Sequence, residues 1–167
     1  MSKTLYLLRH AESGEKQIGQ SDKDRELTAN GIREAFQIGT FLHKKGIVFD
    51  AYISSSATRA VTTTQLVSDA MRAGSGKIIR EDQLYEASAR IFFDVLMKLD
   101  NSLNNVMFIG HNPTISYVAE YLTKAEVPQM ATCGLAIIKF KINSWSSAGE
   151  KSGDLVNYIS PSTISVE

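Results

Sequence analysis

Cysteine is almost missing from this sequence: Cys133 is the only one in 167 residues. That excludes an internal disulfide and any metal cluster built on several thiolates. Cys133 lies just before an apolar run, so it reads as a small buried hydrophobe rather than a reactive thiol. A surplus of charge is missing too, because 18 Lys and Arg offset 18 Asp and Glu. With no net field and no basic run, neither a nucleic acid nor a membrane surface is an expected partner. No apolar stretch approaches the ~20 residues of a bilayer crossing. The first residues read as a strand and not as a secretory signal, so a cytoplasmic location is expected. Neither standard nucleotide cradle, Gly-x-x-x-x-Gly-Lys-Ser/Thr or Gly-x-Gly-x-x-Gly, occurs. Internal repeats, low-complexity tracts and linkers are likewise lacking. What remains is an ordinary globular composition, 43% hydrophobic and 22% charged. Its length suits a single domain over 1–167.

The organising stretch is Thr4-Leu5-Tyr6-Leu7-Leu8-Arg9-His10-Ala11-Glu12-Ser13. An apolar, strand-like run stops on an Arg-His pair, and a polar loop follows. In open α/β proteins, ligands bind outside the carboxyl ends of strands. His10 there can be a nucleophile, a base or a metal ligand, and Arg9 offers a rigid fork of donors to an anion. Residues 11–29 read as a surface loop, either a solvated linker or a lid that touches substrate. Thr28 is a plausible N-cap for a helix whose apolar face is Ile32, Ala35, Phe36, Gly39 and Leu42, ending at Lys44-Lys45-Gly46. His43 falls off that face and reads as exposed.

A second strand, about Ala51 to Ser54, leads into a helix with Ser56 as its expected cap. Arg59 lies in the first turn of that helix, where the dipole disfavours a cation, so its position calls for an anionic partner. Gly74-Ser75-Gly76 breaks the helix, and a short strand follows from Lys77 to Arg80. Glu86 precedes a Ser88-capped helix carrying Ile91, Phe92, Val95, Leu96 and Leu99. It is either a general acid or an ordinary exposed glutamate. Val106 to Ile109 is a continuous apolar run, as expected of a strand buried on both faces. It ends in Gly110-His111-Asn112-Pro113, where the glycine would allow close approach and Pro113 suits a first helical turn. The inner side of that helix is Ile115, Val118, Ala119 and Leu122. Leu135–Ile142 and Leu155–Ile159 read as further strands in a hairpin-like arrangement, and the C-terminal tail as strand or frayed end. Strands alternating with helices predict a three-layer α/β/α sandwich around a mainly parallel sheet.

Arg9-His10, Arg59 and His111 thus fall at three strand-to-helix junctions and Glu86 at a fourth, on one edge of the sheet. Two arginines and two histidines converging there suit a dianion, most simply a phosphoryl group. Paired acidic ligands are missing near them, so no metal and no cofactor is expected. The motifs Leu8-Arg9-His10-Ala11-Glu12-Ser13, Asp24-Arg25-Glu26-Leu27-Thr28-Ala29-Asn30-Gly31, Ser54-Ser55-Ser56-Ala57-Thr58-Arg59-Ala60, Leu84-Tyr85-Glu86 and Gly110-His111-Asn112-Pro113 occur in this order over residues 5 to about 122. In this the chain resembles the histidine phosphatase superfamily, of phosphoglycerate-mutase-like fold, and most of all its small SixA-type phosphohistidine phosphatases.

The resemblance implies catalytic roles for His10, Glu86 and His111. His10 would be the nucleophile that becomes transiently phosphorylated, and Glu86 the acid that protonates a leaving group. Arg9, Arg59, His111 and the adjoining Asn112 would hold phosphoryl oxygens. Ala11 stands where a glycine is common, and Ser56 where a proline is frequent. Neither change removes a reacting group. Long inserts that cover the substrate in larger relatives are lacking, which weakens a sugar-phosphate mutase reading. The expected function is a metal-independent phosphatase acting on phosphohistidine in a partner protein. The alternatives are a phosphatase of a small phosphomonoester and, less favoured, a phosphate-recognising module with little turnover. A monomer or weak dimer is expected.

Overall fold

Two apolar runs, Leu5–Leu8 and Val106–Ile109, have almost no contact with solvent, and they lie side by side in the middle of one sheet. The computed structural model describes residues 2–72 and 77–164; the expected helix break at Gly74-Ser75-Gly76 and the last three residues lie outside them. In chain order the elements are β1 (Lys3–Arg9), α1 (Ala29–Lys44), β2 (Ala51–Ser55), α2 (Thr58–Ala70), β3 (Lys77–Glu81), α3 (Ala89–Met97), β4 (Asn105–Gly110), α4 (Thr114–Thr123), β5 (Leu135–Phe140) and β6 (Gly153–Ile159). The six strands form a sheet in the order β3-β2-β4-β1-β5-β6. The first four run parallel, and β5 and β6 add an antiparallel edge.

Alternation along β1 sends Leu5 and Leu7 to one face and Tyr6 and Leu8 to the other. The first pair joins Phe92, Leu96, Phe108, Ile115 and Val118 under α3 and α4. The second joins Ala35, Ile38, Leu42, Val67 and Met107 under α1 and α2. Helices on both faces explain why the central strands read as unbroken apolar runs. The expected three layers and mainly parallel sheet are therefore present. Among the described residues, no helix is long and apolar enough to cross a membrane.

Local signals set several boundaries. Thr28 caps α1 by accepting from the Gly31 N–H, and Ser88 caps α3 by accepting from Ile91; caps of this kind contribute about 1 kcal/mol each. The expected inner face of α1 is corrected by a turn of the helix. Gly31, Ala35, Ile38, Gly39 and Leu42 are buried, while Ile32 and Phe36 stay 42% and 47% exposed. The glycines cause this rotation. A Cβ on Gly39 would stand 2.6 Å from the Ala70 Cβ, and one on Gly31 would stand 2.1 Å from the Glu12 carbonyl oxygen. Each glycine lets a neighbour approach the helix axis, so the glycine stripe faces inward. Ile91 is a second correction, at 38% exposure on the outer side of α3. Ser56 is a third, because Ala57 occupies the N-cap of α2 without a side-chain bond and the Ser56 hydroxyl is buried with no partner. Pro113 takes the N-cap of α4 and not its first turn.

Candidate active site

Parallel pairing places Arg9 opposite Gly110, so His10 and His111 leave the sheet as neighbours at the carboxyl ends of β1 and β4. The His10 N–H donates to the Gly110 carbonyl at 3.1 Å, and the two imidazole centroids stand 5.1 Å apart with planes tilted by 55°. A Cβ on Gly110 would meet nothing nearer than 3.6 Å. The expected need for glycine at that position is therefore absent.

The tautomer of His10 follows from one contact. Its Nδ1 lies 2.8 Å from the Ala11 carbonyl oxygen. A carbonyl can only accept, so Nδ1 carries the proton and Nε2 holds the bare lone pair. Burial pushes the His10 pKa down to about 3, the nearby His111, Arg59 and Arg9 push the same way, and the Ala11 bond opposes them. His10 is neutral at physiological pH mainly because it is dry, and its cationic neighbours add to that. Ala11 is itself fixed: its N–H donates to Thr63 Oγ1 at 3.0 Å, and that hydroxyl donates to the Arg59 carbonyl at 2.7 Å. The strand end is thereby tied to the first turns of α2.

His111 places Nε2 2.7 Å from the Ser55 hydroxyl, and its Nδ1 is buried without a partner. Burial, with Arg59 next, lowers its pKa to about 4, while Asp22 pulls upward. Arg9 donates from Nη1 to the Met130 carbonyl at 2.9 Å, and its Nε is also buried without a partner. Buried polar groups are nearly always paired. Arg9 Nε and His111 Nδ1 are two exceptions, both at the strand ends that carry the histidines.

The first-turn position of Arg59 called for an anion, read as phosphate, and the anion it meets in the structure is internal. Its Nη1 donates to the Asp22 carbonyl at 2.8 Å and its Nη2 to Asp22 Oδ2 at 3.2 Å. The same carboxylate accepts from the Tyr85 hydroxyl at 2.7 Å and from Arg25 Nη1 at 3.0 Å. Tyr85, then Arg25 and Arg59, hold the Asp22 carboxyl well below the usual carboxylate range. The 11–29 loop is pinned at its neck. Glu12 accepts from Thr28 and Asn30, Arg25 donates to Gly14 and Ser13, and Ser13 pairs with Leu27.

Of two further residues expected at the site, Asn112 is turned to other partners and Glu86 stands at the edge of a cavity it shares with His111. Asn112 donates to the Met130 carbonyl at 2.9 Å and accepts from the Ser116 hydroxyl. Its side chain thus anchors the carbonyl that also receives Arg9. Glu86 sits on left-handed backbone, φ 56°, with its side chain exposed. Together with Leu84, Phe92, His111 and Pro113 it lines a cavity of about 230 Å3. Among the described residues, no group of three or more His, Cys, Asp and Glu is arranged to hold a metal ion.

Asp22, Arg25, Tyr85, Ser55 and Thr63 join the site without having been assigned roles from sequence. Ser55, Arg25 and Tyr85 lie within the motifs that carry the family resemblance, without a role attached; for Asp22 the signal was the unfavourable position of Arg59, and the loop offered Asp24 and Glu26 as equal choices.

Residues 5–92, more than half the chain, match the family model described as the histidine phosphatase superfamily, branch 1. The chain belongs to the histidine phosphatase superfamily. A crystal structure assigned as the phosphohistidine phosphatase SixA from Agrobacterium tumefaciens superposes with a TM-score of 0.80 at 25% identity, covering 95% of this chain and 99% of the other. One assigned likewise from Nakamurella multipartitia has a TM-score of 0.82 at 22% identity, covering 96% and 97%. A 2,3-bisphosphoglycerate-dependent phosphoglycerate mutase of Parvibaculum lavamentivorans is 33% identical over 88 residues, 52% of this chain and 42% of the mutase. The chain thus spans less than half of that mutase. This histidine phosphatase shares the fold of the SixA structures over 95–96% of its length. The family match stops at 92, before His111, and it is the pairing of β1 with β4 that brings His111 to the other residues.

Proposed function

We propose that this histidine phosphatase removes the phosphoryl group from phosphohistidine in a partner protein, without a metal, through a phosphorylated His10. The observation that carries this reading is the His10 ring: Nδ1 is committed to the Ala11 carbonyl, and burial leaves Nε2 unprotonated. Nε2 attacks phosphorus as the bond from phosphorus to the substrate nitrogen breaks, and the departing imidazole takes up a proton from solvent water. Water then attacks phosphorus, the bond to Nε2 breaks, and inorganic phosphate leaves with His10 restored. Splitting transfer into two displacements replaces one hard step by two easier ones. Arg9, Arg59 and His111 supply fixed donors to the equatorial oxygens, the main requirement of phosphoryl transfer. Asn112 serves by holding the Met130 carbonyl against Arg9.

The likeness to SixA structures over almost the whole chain supports a protein substrate, as does the lack of a long insert enclosing the site. A second reading, a small phosphomonoester, is favoured by the cavity beside His111. Its Leu84, Phe92 and Pro113 walls suit an apolar leaving group, and Glu86 at its edge can protonate a departing alkoxide.

The test is phosphate release from a phosphohistidine-carrying domain and from a panel of small esters, with His10→Ala as control. Preference for the protein substrate is expected, with at least a 10³-fold loss in the variant, on the order expected for removing a nucleophile. Mass spectrometry should find an acid-labile phosphate on His10 of the wild type. Fast turnover of a single ester would move the reading to the second alternative. Activity that survived His10→Ala would end both.

A further inference from the structure

A carboxylate at the rim of a pocket built for a dianion runs against simple electrostatics, because like charges repel. Asp22 is nevertheless bound there from three directions: Arg59 of α2, Tyr85 from the segment before α3, and Arg25 of its own loop. The Arg59 side chain is only 9% exposed, against 46% for Asp22. Arg59 also donates to the Asp22 main-chain carbonyl, which cannot swing aside as a side chain can. Arg9 is held in the same manner, with one Nη on the Met130 carbonyl. Each arginine of the pocket therefore has one terminal nitrogen fixed by a backbone carbonyl. A guanidinium carries five N–H donors. Asp22 uses two of those on Arg59 and leaves three for a ligand.

We propose that Asp22 is a positioning residue for phosphoryl transfer: it fixes the Arg59 guanidinium in the orientation that serves the phosphoryl oxygens and thereby makes the 11–29 loop part of the active site. This rests on the reading of the pocket given above. A latch that merely blocks the empty pocket would need only a side chain able to leave. The main-chain bond and the two further anchors of Asp22 instead hold the arginine in place. Tyr85 and Arg25 act on the same carboxylate and so fix Asp22 for Arg59.

A double-mutant cycle tests this with Asp22→Asn, Arg59→Ala and the pair together. Asn keeps the size of Asp22 and its main-chain carbonyl, so the fold is retained and a thermal melt within about 3 °C of wild type is expected, as for most surface changes. In the wild-type background Asp22→Asn should lower kcat about 10- to 100-fold, the scale of a misplaced catalytic group, while KM moves less than about threefold. In the Arg59→Ala background it should do nothing further, since residues that act as a unit are not additive. Tyr85→Phe should give a smaller loss with the same dependence on Arg59. Additive losses, or a gain in activity on Asp22→Asn, would overturn the proposal. Tungstate binding by calorimetry provides a readout independent of turnover. Asp22→Asn should weaken it by about 3- to 10-fold, the range of coupling between contacting residues, and only when Arg59 is present. Should no substrate release phosphate even in the wild type, the proposed function falls, and the tungstate cycle still decides whether Asp22 acts through Arg59.

Discussion

The pocket has a floor and a rim, and the two are made differently. The floor is Arg9, His10 and His111 at the ends of β1 and β4. These strands have cores that exclude water, and the parallel register fixes the histidines within 5.1 Å of each other. The rim is the 11–29 loop and the Tyr85-Glu86 segment, where Arg25 and Tyr85 meet Asp22 at partly exposed positions through side-chain bonds and Glu86 stands exposed beside them. On the floor, burial dominates and sets protonation states. On the rim, hydrogen bonding dominates, with Tyr85 and Arg25 acting most strongly on Asp22. On the proposed mechanism the floor thus supplies a reacting group that stays neutral near physiological pH, and the rim would supply orientation and discrimination between leaving groups.

Glycine substitutions offer the widest separation of the two. Gly31→Ala drives a methyl group to 2.1 Å from the Glu12 carbonyl oxygen, where neither backbone can give way easily. The helical preference for alanine returns only about 1 kcal/mol, and overpacking of this kind costs more. Urea unfolding should show a net loss of about 2–3 kcal/mol. Gly110→Ala on the floor meets only ordinary contacts at 3.6 Å and beyond, and its stability should stay within about 1 kcal/mol of wild type. Equal losses would mean that the loop neck is not the constrained part.

Glu86 sharpens the comparison at the next level. An alkoxide is a poor leaving group and needs a proton, whereas imidazole leaves more readily. Glu86→Gln should therefore cut turnover of phosphate esters by about 10²-fold, a usual contribution of a general acid, and phosphohistidine turnover by less than about tenfold. Matching losses on both substrates would show that Glu86 does something other than donate that proton.

Sequence periodicity and strand-end logic reached most of the floor. Apolar runs gave β1 and β4, the residues just after them gave His10 and His111, and capping chemistry gave the starts of α1 and α3. The rotation of α1 escaped, because Ile32 and Phe36 keep helical spacing as well as Ile38 does. Only the approach of Glu12 to Gly31 and of Ala70 to Gly39 selects one face over the other. The rim escaped almost entirely. A polar loop has no periodicity, and the choice of Asp22 over Asp24 or Glu26 depends on where the loop is pinned. Asn112 shows the same limit from the other side: the resemblance implied a phosphate ligand, while the fold directs its amide to Met130 and Ser116.

The smallest expected effect is the one that separates floor from rim most cleanly, a titration that should show nothing. With pKa values lowered to about 3 and about 4, His10 and His111 should both remain neutral from pH 8 down to 5. Nitrogen-15 NMR of the imidazole rings should show His10 protonated at Nδ1 and bare at Nε2 throughout that range. The sign of the accompanying stability change follows from linkage. In the unfolded chain each imidazole returns to its ordinary 6.5, so between 6.5 and the folded values the unfolded state binds more protons. The stability contributed by the neutral pair is complete above 6.5 and is lost progressively as the pH falls toward 4 and then 3. Substitution at the rim, as in Asp22→Asn, removes the one carboxylate that raises the His111 pKa, so it should leave that ring neutral as well. A midpoint near 6.5 for His10 in the folded protein would mean that its surroundings are wet, and burial would no longer be what keeps the proposed nucleophile neutral.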